Sequence, residues 1–318
     1  MRYDLAPLEG ITGPLYRRMH HQIFGGVDRY YTPFLFPGEG GTLNKRELRD
    51  IAPEENQGLP LVPQLLTRRS GDFIGAARRL GELGYQHINL NLGCPSGTVT
   101  AKGKGSGFLA HPQELDHFLE EIFSAALPVK ISVKSRLGMT SEEEFPLILA
   151  IFEKYPLEEL ILHPRVRQDL YRKPVRPQAF RWAAEHTSLP LCYNGDLVTA
   201  ADCARMEQEY PMLRGLMLGR GAIADPAVFR KAKGGKAAQR KELRLFHDTL
   251  YQGYCQAFQS PQNAICRMKD VWRCMIFLFE DEQGLDKALR KVTEPADYQW
   301  AVEGIFRLPL REDAKEPW

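Results

Sequence analysis

The sequence has no run of 18 or more apolar residues, so it offers no segment with the composition of a membrane-spanning helix. It also lacks an excess of either charge, because 42 Lys and Arg residues stand against 40 Asp and Glu residues. The resulting net charge of +2 excludes a strongly polybasic protein, although it is compatible with a local basic patch. The first seven residues place an acid, Asp4, inside the first apolar run and do not resemble a secretory signal.

Cysteine pairs of the CxxC type are absent. The six cysteines are scattered along the chain at Cys94, Cys192, Cys203, Cys255, Cys266 and Cys274. In a chain of 318 residues this spacing favours reduced thiols over a disulfide framework or a zinc site. We therefore expect a cytoplasmic protein without a metal centre.

Short apolar runs alternate with amphipathic segments over roughly the first 230 residues. The runs that predict strands are residues 4–8, 29–33, 61–65, 87–92, 129–134, 159–163, 189–193 and 216–218. Strands that alternate with helices predict a parallel sheet, and eight such units are typical of a (β/α)8 TIM barrel. The alternative is an open doubly wound sheet, which more often carries a glycine-rich nucleotide turn after its first strand. That turn is absent here.

The pattern changes after Phe229, where a basic, glycine-containing joint begins. Its charged residues are Lys231, Lys233, Lys236, Arg240, Lys241 and Arg244. Three helical stretches without a strand signal follow, at 243–258, 264–279 and 285–306. We expect a barrel domain over residues 1–235 and a small C-terminal helical domain over residues 236–318. The basic joint is equally compatible with a solvated linker.

Polar residues follow nearly every predicted strand, at the end where a barrel carries its chemistry. They are Glu9, Gln64, Asn91, Lys134, His163, Arg165, Asn194, Asp196 and Arg220. Gly195 and Gly219 follow the seventh and eighth predicted strands, where barrels often bind a phosphate through backbone N–H groups. Arg220 would add a charge-assisted contact there. The pattern predicts one site on this rim.

Cys94 differs from the other cysteines because it lies at a strand end, between Gly93 and Pro95. A glycine-rich stretch at residues 102–107 follows, and we expect it to be flexible enough to close over a substrate. No histidine is placed by the sequence to activate Cys94, so an acid and a nucleophile are both open. Lys134 and His163 would hydrogen-bond an electron-rich heterocycle such as a flavin, and a structural role is the alternative for His163.

These segments resemble, in order, the motifs of the tRNA-dihydrouridine synthases. Residues 89–96, with the sequence NLNLGCPS, are similar to the family's Asn-x-Gly-Cys-Pro signature. Residues 6–12 resemble its Ala-Pro-Met opening, with Leu8 where Met is usual. The segments at 134–136, 163–165, 194–196 and 219–222 follow in the family's order, although Pro164 stands where Gly is more frequent. The resemblance covers about residues 3 to 230 and implies a barrel followed by a helical domain.

The resemblance implies an FMN enzyme that reduces the C5=C6 bond of a D-loop uridine in tRNA. Reduced FMN would deliver hydride to C6, Cys94 would protonate C5, and NADPH would reduce the flavin again. The cofactor-binding residues implied are Pro7, Leu8, Glu9, Gln64, Asn91, Lys134, His163, Asn194, Gly195, Asp196, Gly219 and Arg220. The substrate-binding residues predicted are Asn91, Lys104, Arg165, Lys236 and Arg240.

Two alternatives are kept beside this interpretation. One is an FMN barrel that acts on a free small molecule of the dihydroorotate or dihydropyrimidine type. The other is a catalytically silent RNA-binding protein. The helical domain and the basic joint disfavour the first, and the intact Cys94, Lys134 and His163 disfavour the second. We expect a monomer whose partners are tRNA and NADPH, with no membrane contact.

Overall fold

The computed structural model describes residues 1–281 and 284–317, and its centre is a parallel sheet of nine short strands. The strands are β1 (Arg2–Leu5), β2 (Arg29–Tyr31), β3 (Leu61–Val62), β4 (Gln64–Leu65), β5 (His87–Leu92), β6 (Lys130–Arg136), β7 (Glu159–His163), β8 (Leu191–Tyr193) and β9 (Gly215–Leu218). Their order in the sheet is β3-β2-β1-β9-β8-β7-β6-β5-β4.

The sheet curves into a nearly closed barrel, because its two end strands are consecutive in the chain. β3 pairs with β2 and β4 pairs with β5, and only Pro63 separates β3 from β4. Proline has no N–H to donate to a strand ladder, which accounts for the division of the third predicted strand at this point. The predicted (β/α)8 barrel is confirmed, with nine strands in place of eight runs.

Fourteen α-helices are assigned within the described residues. They are α1 (Pro14–Ile23), α2 (Lys45–Asp50), α3 (Ser70–Glu82), α4 (Gly97–Thr100), α5 (Pro112–Ser124), α6 (Phe145–Phe152), α7 (Pro177–His186), α8 (Ala200–Glu209), α9 (Arg220–Ala224), α10 (Val228–Ala232), α11 (Arg240–Phe258), α12 (Pro261–Met275), α13 (Leu285–Lys291) and α14 (Pro295–Arg307). None of the helices in these residues is long and apolar enough to cross a membrane.

Strand β5 shows how the barrel separates an apolar outer layer from a polar interior. Ile88, Leu90 and Leu92 are fully buried and belong to the main hydrophobic core, in which the helices take part. Asn89 and Asn91 alternate with them, so their side chains point to the opposite face of the strand, inside the barrel. The strand therefore carries polar groups inside the barrel while it keeps an apolar outer face.

The last four helices pack as a group beside the barrel. The Phe246 ring on α11 lies edge-on to Tyr16 and Phe24, with ring centroids 5.3 and 5.2 Å apart. The third predicted stretch, 285–306, is two helices because Glu294 before Pro295 is extended, as a residue before proline usually is. The predicted domain over 236–318 includes residues 282, 283 and 318, which lie outside the described residues.

Candidate active site

A cleft with a volume of about 160 Å³ opens at the carboxyl ends of the barrel strands. Nine of the predicted cofactor-binding residues line it: Pro7, Leu8, Lys134, His163, Asn194, Gly195, Asp196, Gly219 and Arg220. Ala6, Tyr171, Leu197 and Gly221 complete the lining. Residues from five strand ends, far apart in sequence, therefore meet at one place, as the parallel barrel requires.

Lys134 lies on β6 and points into the cleft from below. Burial, and then the nearby Arg136 guanidinium, lower the pKa of Lys134 from 10.5 to about 7. A lysine is usually fully charged at neutral pH, so this side chain is held in a place that disfavours an uncompensated ammonium. An anionic group bound beside it would supply the missing compensation.

His163, at the end of β7, is buried among cations. Burial lowers the pKa of His163 well below 6.5, and Arg136, Lys134, Arg165 and Arg220 lower it further. The imidazole is therefore neutral. Its Nε2 atom lies 3.0 Å from Nη1 of Arg165, and a guanidinium only donates, so Nε2 accepts and Nδ1 carries the hydrogen.

The Asp196 carboxylate joins two arginines at the far end of the cleft. Arg165 donates to it twice, at 2.9 and 2.6 Å, and Arg220 donates once, at 3.2 Å. Such charge-assisted contacts orient a guanidinium as well as attracting it. Arg165 is 1% exposed, so it supports the cleft from beneath. The sequence predicts that Arg165 binds the substrate. A direct contact with the substrate would need an accessible guanidinium, whereas this one is buried.

Tyr171 is a cleft residue that sequence reasoning missed. Its ring centroid lies 5.1 Å from the guanidinium carbon of Arg136 and 4.8 Å from that of Arg220. The same ring lies 5.9 Å from His163 at an angle of 30°. It is 45% exposed. The signal in the sequence is an aromatic residue within an arginine-rich segment shortly after a strand end.

Cys94 lies at the end of β5, with a half-buried thiol. Its backbone carbonyl accepts hydrogen bonds from the N–H of Ser106, at 3.1 Å, and from the Ser106 hydroxyl, at 2.8 Å. Burial raises the pKa of the Cys94 thiol above its ordinary value, in spite of the nearby Arg136 and Lys134. The thiol is therefore protonated at neutral pH and is suited to act as an acid.

The glycine-rich stretch after Cys94 is held more firmly than the sequence suggested. Residues 105–109 are buried in a 3₁₀ turn, and Gly105 adopts a φ of +58°. A Cβ at Gly105 would lie 2.9 Å from the Cys94 carbonyl oxygen, so this glycine permits the close approach of the two segments. These contacts hold the second half of the stretch against Cys94, and its closure over a substrate stays a prediction.

Three of the other predicted cofactor residues lie at the edge of the cleft or beneath it. Gln64 is fully buried, and its Oε1 atom accepts a hydrogen bond of 2.7 Å from Nδ2 of Asn91, which is 5% exposed. Glu9 is exposed, and its carboxylate pairs with Arg46 at 2.9 Å. Glu9 is predicted to contact the flavin through its backbone, and a side chain that points outward is compatible with that contact.

The predicted RNA-binding residues fall into two places. Lys104 lies near the Cys94 loop, with its Nζ atom 5.8 Å from the centroid of the Phe36 ring. Lys236 is exposed on the basic joint, and its carbonyl accepts a 2.9 Å hydrogen bond from Arg230. The joint reaches the opposite end of the barrel, since Lys233 pairs at 2.6 Å with Asp28, just before β2.

Other charges of the joint are engaged within the protein. Lys231 pairs with Asp225 at 3.0 Å and also with Asp313, and Arg240 donates to the carbonyl of Phe306. Lys236 and Arg240 are therefore distant from the strand ends that form the cleft. A contact between RNA and the joint would need a surface that continues from one end of the barrel to the other.

The carboxyl ends of the barrel strands bring together a cleft lined by cations, a neutral histidine and a protonated thiol. This is the end at which barrel enzymes carry their active sites. The family model "Dihydrouridine synthase (Dus)" matches residues 4–305, and the chain belongs to this family. The predicted family and the predicted oxidoreductase class are thereby confirmed.

Relatives of known name match nearly the whole chain. The tRNA-dihydrouridine synthase B of Pasteurella multocida is 28% identical over 326 aligned positions, which cover 99% of this chain and 95% of that protein. The tRNA-dihydrouridine(16) synthase of Pseudomonas putida is 28% identical over 289 positions, covering 87% and 88%.

Solved structures share the barrel. Morphinone reductase matches with a TM-score of 0.53 at 13% identity, covering 75% of this chain and 87% of that one. A 2-naphthoyl-CoA reductase matches with a TM-score of 0.54 at 13% identity, covering 74% and 50%. At this identity the likeness concerns the fold alone.

Proposed function

We propose that this protein is an FMN-dependent tRNA-dihydrouridine synthase, which reduces the C5=C6 bond of a D-loop uridine. The observation that carries the proposal is the convergence of Lys134, His163 and Arg220 on one cleft, with the Cys94 thiol at the end of the neighbouring strand β5. Membership of the dihydrouridine synthase family and the names of its relatives support the substrate.

The residues of the cleft fit FMN in charge and in donor pattern. Arg220, oriented by Asp196, would hold the phosphate together with the backbone near Gly195 and Gly219. Lys134 would lie at the edge of the flavin where negative charge accumulates on reduction, and His163 would donate from Nδ1. Pro7 and Leu8 would contact the ring. Bound in this cleft, reduced FMN would supply the hydride for uracil C6.

Cys94 would supply the proton that uracil C5 needs when C6 receives hydride. The raised pKa of its thiol keeps the proton available at neutral pH. The base must leave the stacked RNA to reach the cleft, as bases do in other enzymes that act on them. Lys104 would attract the RNA phosphates near the flipped nucleotide. NADPH would be the source of reducing equivalents.

The test combines a genetic and a biochemical measurement. We expect dihydrouridine to be lost at one D-loop position of tRNA in cells without the gene, and to return with the wild-type gene. We expect Cys94→Ala to retain FMN but lose nearly all uridine reduction, while Cys266→Ala, at an exposed cysteine on α12, retains both.

Each outcome separates the alternatives. Unchanged dihydrouridine with a bound flavin would favour an oxidoreductase of a free small molecule. Purified protein without a flavin absorbance band would favour the silent RNA-binding protein. Full turnover in Cys94→Ala would exclude Cys94 as the acid.

A further inference from the structure

Three amide side chains form a continuous hydrogen-bonded line inside the barrel, which we call the amide chain: Asn89, Gln64 and Asn91. Nδ2 of Asn91 lies 2.7 Å from Oε1 of Gln64, and Nε2 of Gln64 lies 2.8 Å from Oδ1 of Asn89. Gln64 and Asn89 are direct neighbours across β4 and β5. Gln64 and Asn89 are fully buried, and Asn91 is 5% exposed.

Both ends of the amide chain are anchored. At its upper end, Oδ1 of Asn91 accepts from the backbone N–H groups of Gly93, at 3.0 Å, and Cys94, at 2.9 Å. At its lower end, Nδ2 of Asn89 donates at 2.8 Å to the hydroxyl of Ser132, its neighbour across β5 and β6. The chain thus extends from the backbone of Cys94 to the middle of the barrel.

The direction of every amide in the chain follows from its upper end. A backbone N–H only donates, so the two N–H groups at Gly93 and Cys94 require the oxygen of Asn91 between them. The Asn91 nitrogen must then face Gln64, which accepts with its oxygen and donates with its nitrogen to Asn89. Reversing one amide would leave buried donors facing donors and acceptors facing acceptors, which is unfavourable because a buried polar group without a partner has lost its hydration. The Ser132 hydroxyl can donate or accept, and it also lies 2.7 Å from Nε2 of His87, beyond the three amides.

We propose that the amide chain positions the catalytic end of β5, with Asn89 as its positioning residue. In the amide chain, the Asn91 oxygen accepts hydrogen bonds from the Cys94 loop, and one Asn91 N–H donates to Gln64. The second N–H of Asn91 therefore acts toward the cleft as a donor. It also restrains the backbone of Cys94 from a point inside the barrel. Asn89 acts through Gln64 and Asn91, since it is fully buried and is not part of the cleft lining.

The catalytic consequence of this positioning rests on the proposed function, but the restraint on Cys94 does not. Asn89→Leu removes both the acceptor for Gln64 and the donor to Ser132. Asn89→Asp keeps an oxygen for Gln64, and the Ser132 hydroxyl can turn to donate to the second oxygen. The conservative variant therefore preserves the direction of the chain, whereas the leucine variant abolishes it. Met217→Leu, in a buried apolar cluster that contains none of the three amides, is the matched control.

The first readout needs neither flavin nor tRNA. We expect amide hydrogen exchange at Cys94, and the rate of Cys94 alkylation by iodoacetamide, to rise about tenfold in flavin-free Asn89→Leu, because the restraint on the loop is lost. Asn89→Asp and Met217→Leu should stay within about threefold of the wild type. In the loaded enzyme we expect kcat to fall about tenfold or more while KM for tRNA is nearly unchanged, since misplaced reacting groups affect the chemical step.

Folded Asn89→Leu with wild-type exchange and alkylation at Cys94 would overturn the proposal. If Asn89→Leu does not fold, Ser132→Ala decides the question, because it removes the lower anchor and leaves all three amides in place, although it also removes the contact of the hydroxyl with His87. Faster exchange at Cys94 supports the amide chain, and unchanged exchange overturns it. Altered Cys94 exchange in a protein whose wild type reduces no uridine would leave the positioning role intact and reject the proposed function alone.

Discussion

The Nη1 atom of Arg165 lies 3.0 Å from the Nε2 atom of His163, and the same guanidinium holds Asp196 through two hydrogen bonds. This arrangement determines the chemistry of the histidine. A guanidinium cannot accept a hydrogen bond, so a doubly protonated imidazole would place two donors against each other. His163 is therefore a neutral donor at Nδ1, and it cannot act as a cation toward a bound phosphate or flavin.

Removing Arg165 should return His163 toward an ordinary histidine. We expect the pKa of His163 to rise in Arg165→Leu, because one nearby cation is lost and the Asp196 carboxylate loses its principal partner. The measurement is an NMR titration of histidine ring resonances between pH 5 and 8. The His163 resonance should be flat in the wild type and in Arg172→Leu, an exposed arginine of the same loop, and should move in Arg165→Leu. A flat response in all three proteins would show that burial and the other cations, and not Arg165, keep the pKa of His163 low.

Lys134 should make the stability of the ligand-free protein depend on pH above neutrality. Its native pKa of about 7 lies below its ordinary value of 10.5, so between these values the unfolded state binds a proton that the native state does not. The contribution of Lys134 to the free energy of unfolding is therefore lowest below pH 7 and rises with pH toward 10.5.

Lys134→Met should reduce that slope by up to about 1.4 kcal/mol per pH unit, the limit for one proton, and should be more stable than the wild type at pH 7. Urea unfolding at pH 7, 8 and 9 measures it, with the exposed Lys102→Met as the control. Parallel slopes for wild type and Lys134→Met would contradict the prediction. A gain in stability with a loss of FMN binding would mean that the lysine is retained for function.

Arg2 compensates two buried carboxylates at the base of the barrel. Its Nη2 atom lies 2.8 Å from Asp4 and 2.5 Å from Glu159, whose side chains are 0% and 2% exposed. Arg2→Met leaves both acids without this partner, and we expect a loss of about 3–5 kcal/mol in the free energy of unfolding. Arg46→Met removes an exposed pair with Glu9 and should change stability by less than about 1 kcal/mol. Chemical denaturation measures both variants. Equal losses of unfolding free energy in Arg2→Met and Arg46→Met would show that burial of the ion pair does not set the cost of breaking it.

Gly75 allows α3 to pack directly on the turn at residues 39–41. A Cβ at Gly75 would overlap the carbonyl oxygen of Gly40, whereas a Cβ at Gly71, in the first turn of the same helix, would meet nothing within 4 Å. We expect Gly75→Ala to destabilise the protein by about 1–3 kcal/mol, because the backbones must separate. Gly71→Ala should be neutral or stabilising by less than about 1 kcal/mol, since alanine is the better helix former. Thermal unfolding of the two variants, side by side, measures the contrast.

Much of the fold follows from local patterns in the sequence. The apolar runs and amphipathic segments predicted the barrel, since a strand and a helix each have their own hydrophobic period. The ends of the individual strands and helices were less predictable. Pro63 divides the third strand, and Pro295 begins a second helix within the stretch predicted as one. A proline changes hydrogen bonding at one point without altering the hydrophobic pattern around it, so the periodicity did not reveal these breaks.

The site was predictable to the extent that it depends on strand ends. Lys134, His163, Asn194 and Arg220 each follow an apolar strand, and parallel strands place such residues on one rim. Tyr171 was not predictable in this way, because it reaches the cleft from a loop whose path is set by packing. Arg165 also follows a strand end, but its burial beside Asp196 depends on a partner from another strand, which the local sequence does not reveal.

The parallel barrel, the order of polar groups along its rim and the distinct position of Cys94 can all be inferred from local sequence patterns. Which of those polar groups face the cleft, and which hydrogen-bond to one another, is visible only in the folded protein. Gln64 and Asn91 are bound into the amide chain, Arg165 supports His163, and the basic joint lies at the opposite end of the barrel. The physical reason is that closure of the barrel sets the register between strands. Residues on different strands come within hydrogen-bonding distance only in that register, and the paired strands are far apart in the sequence.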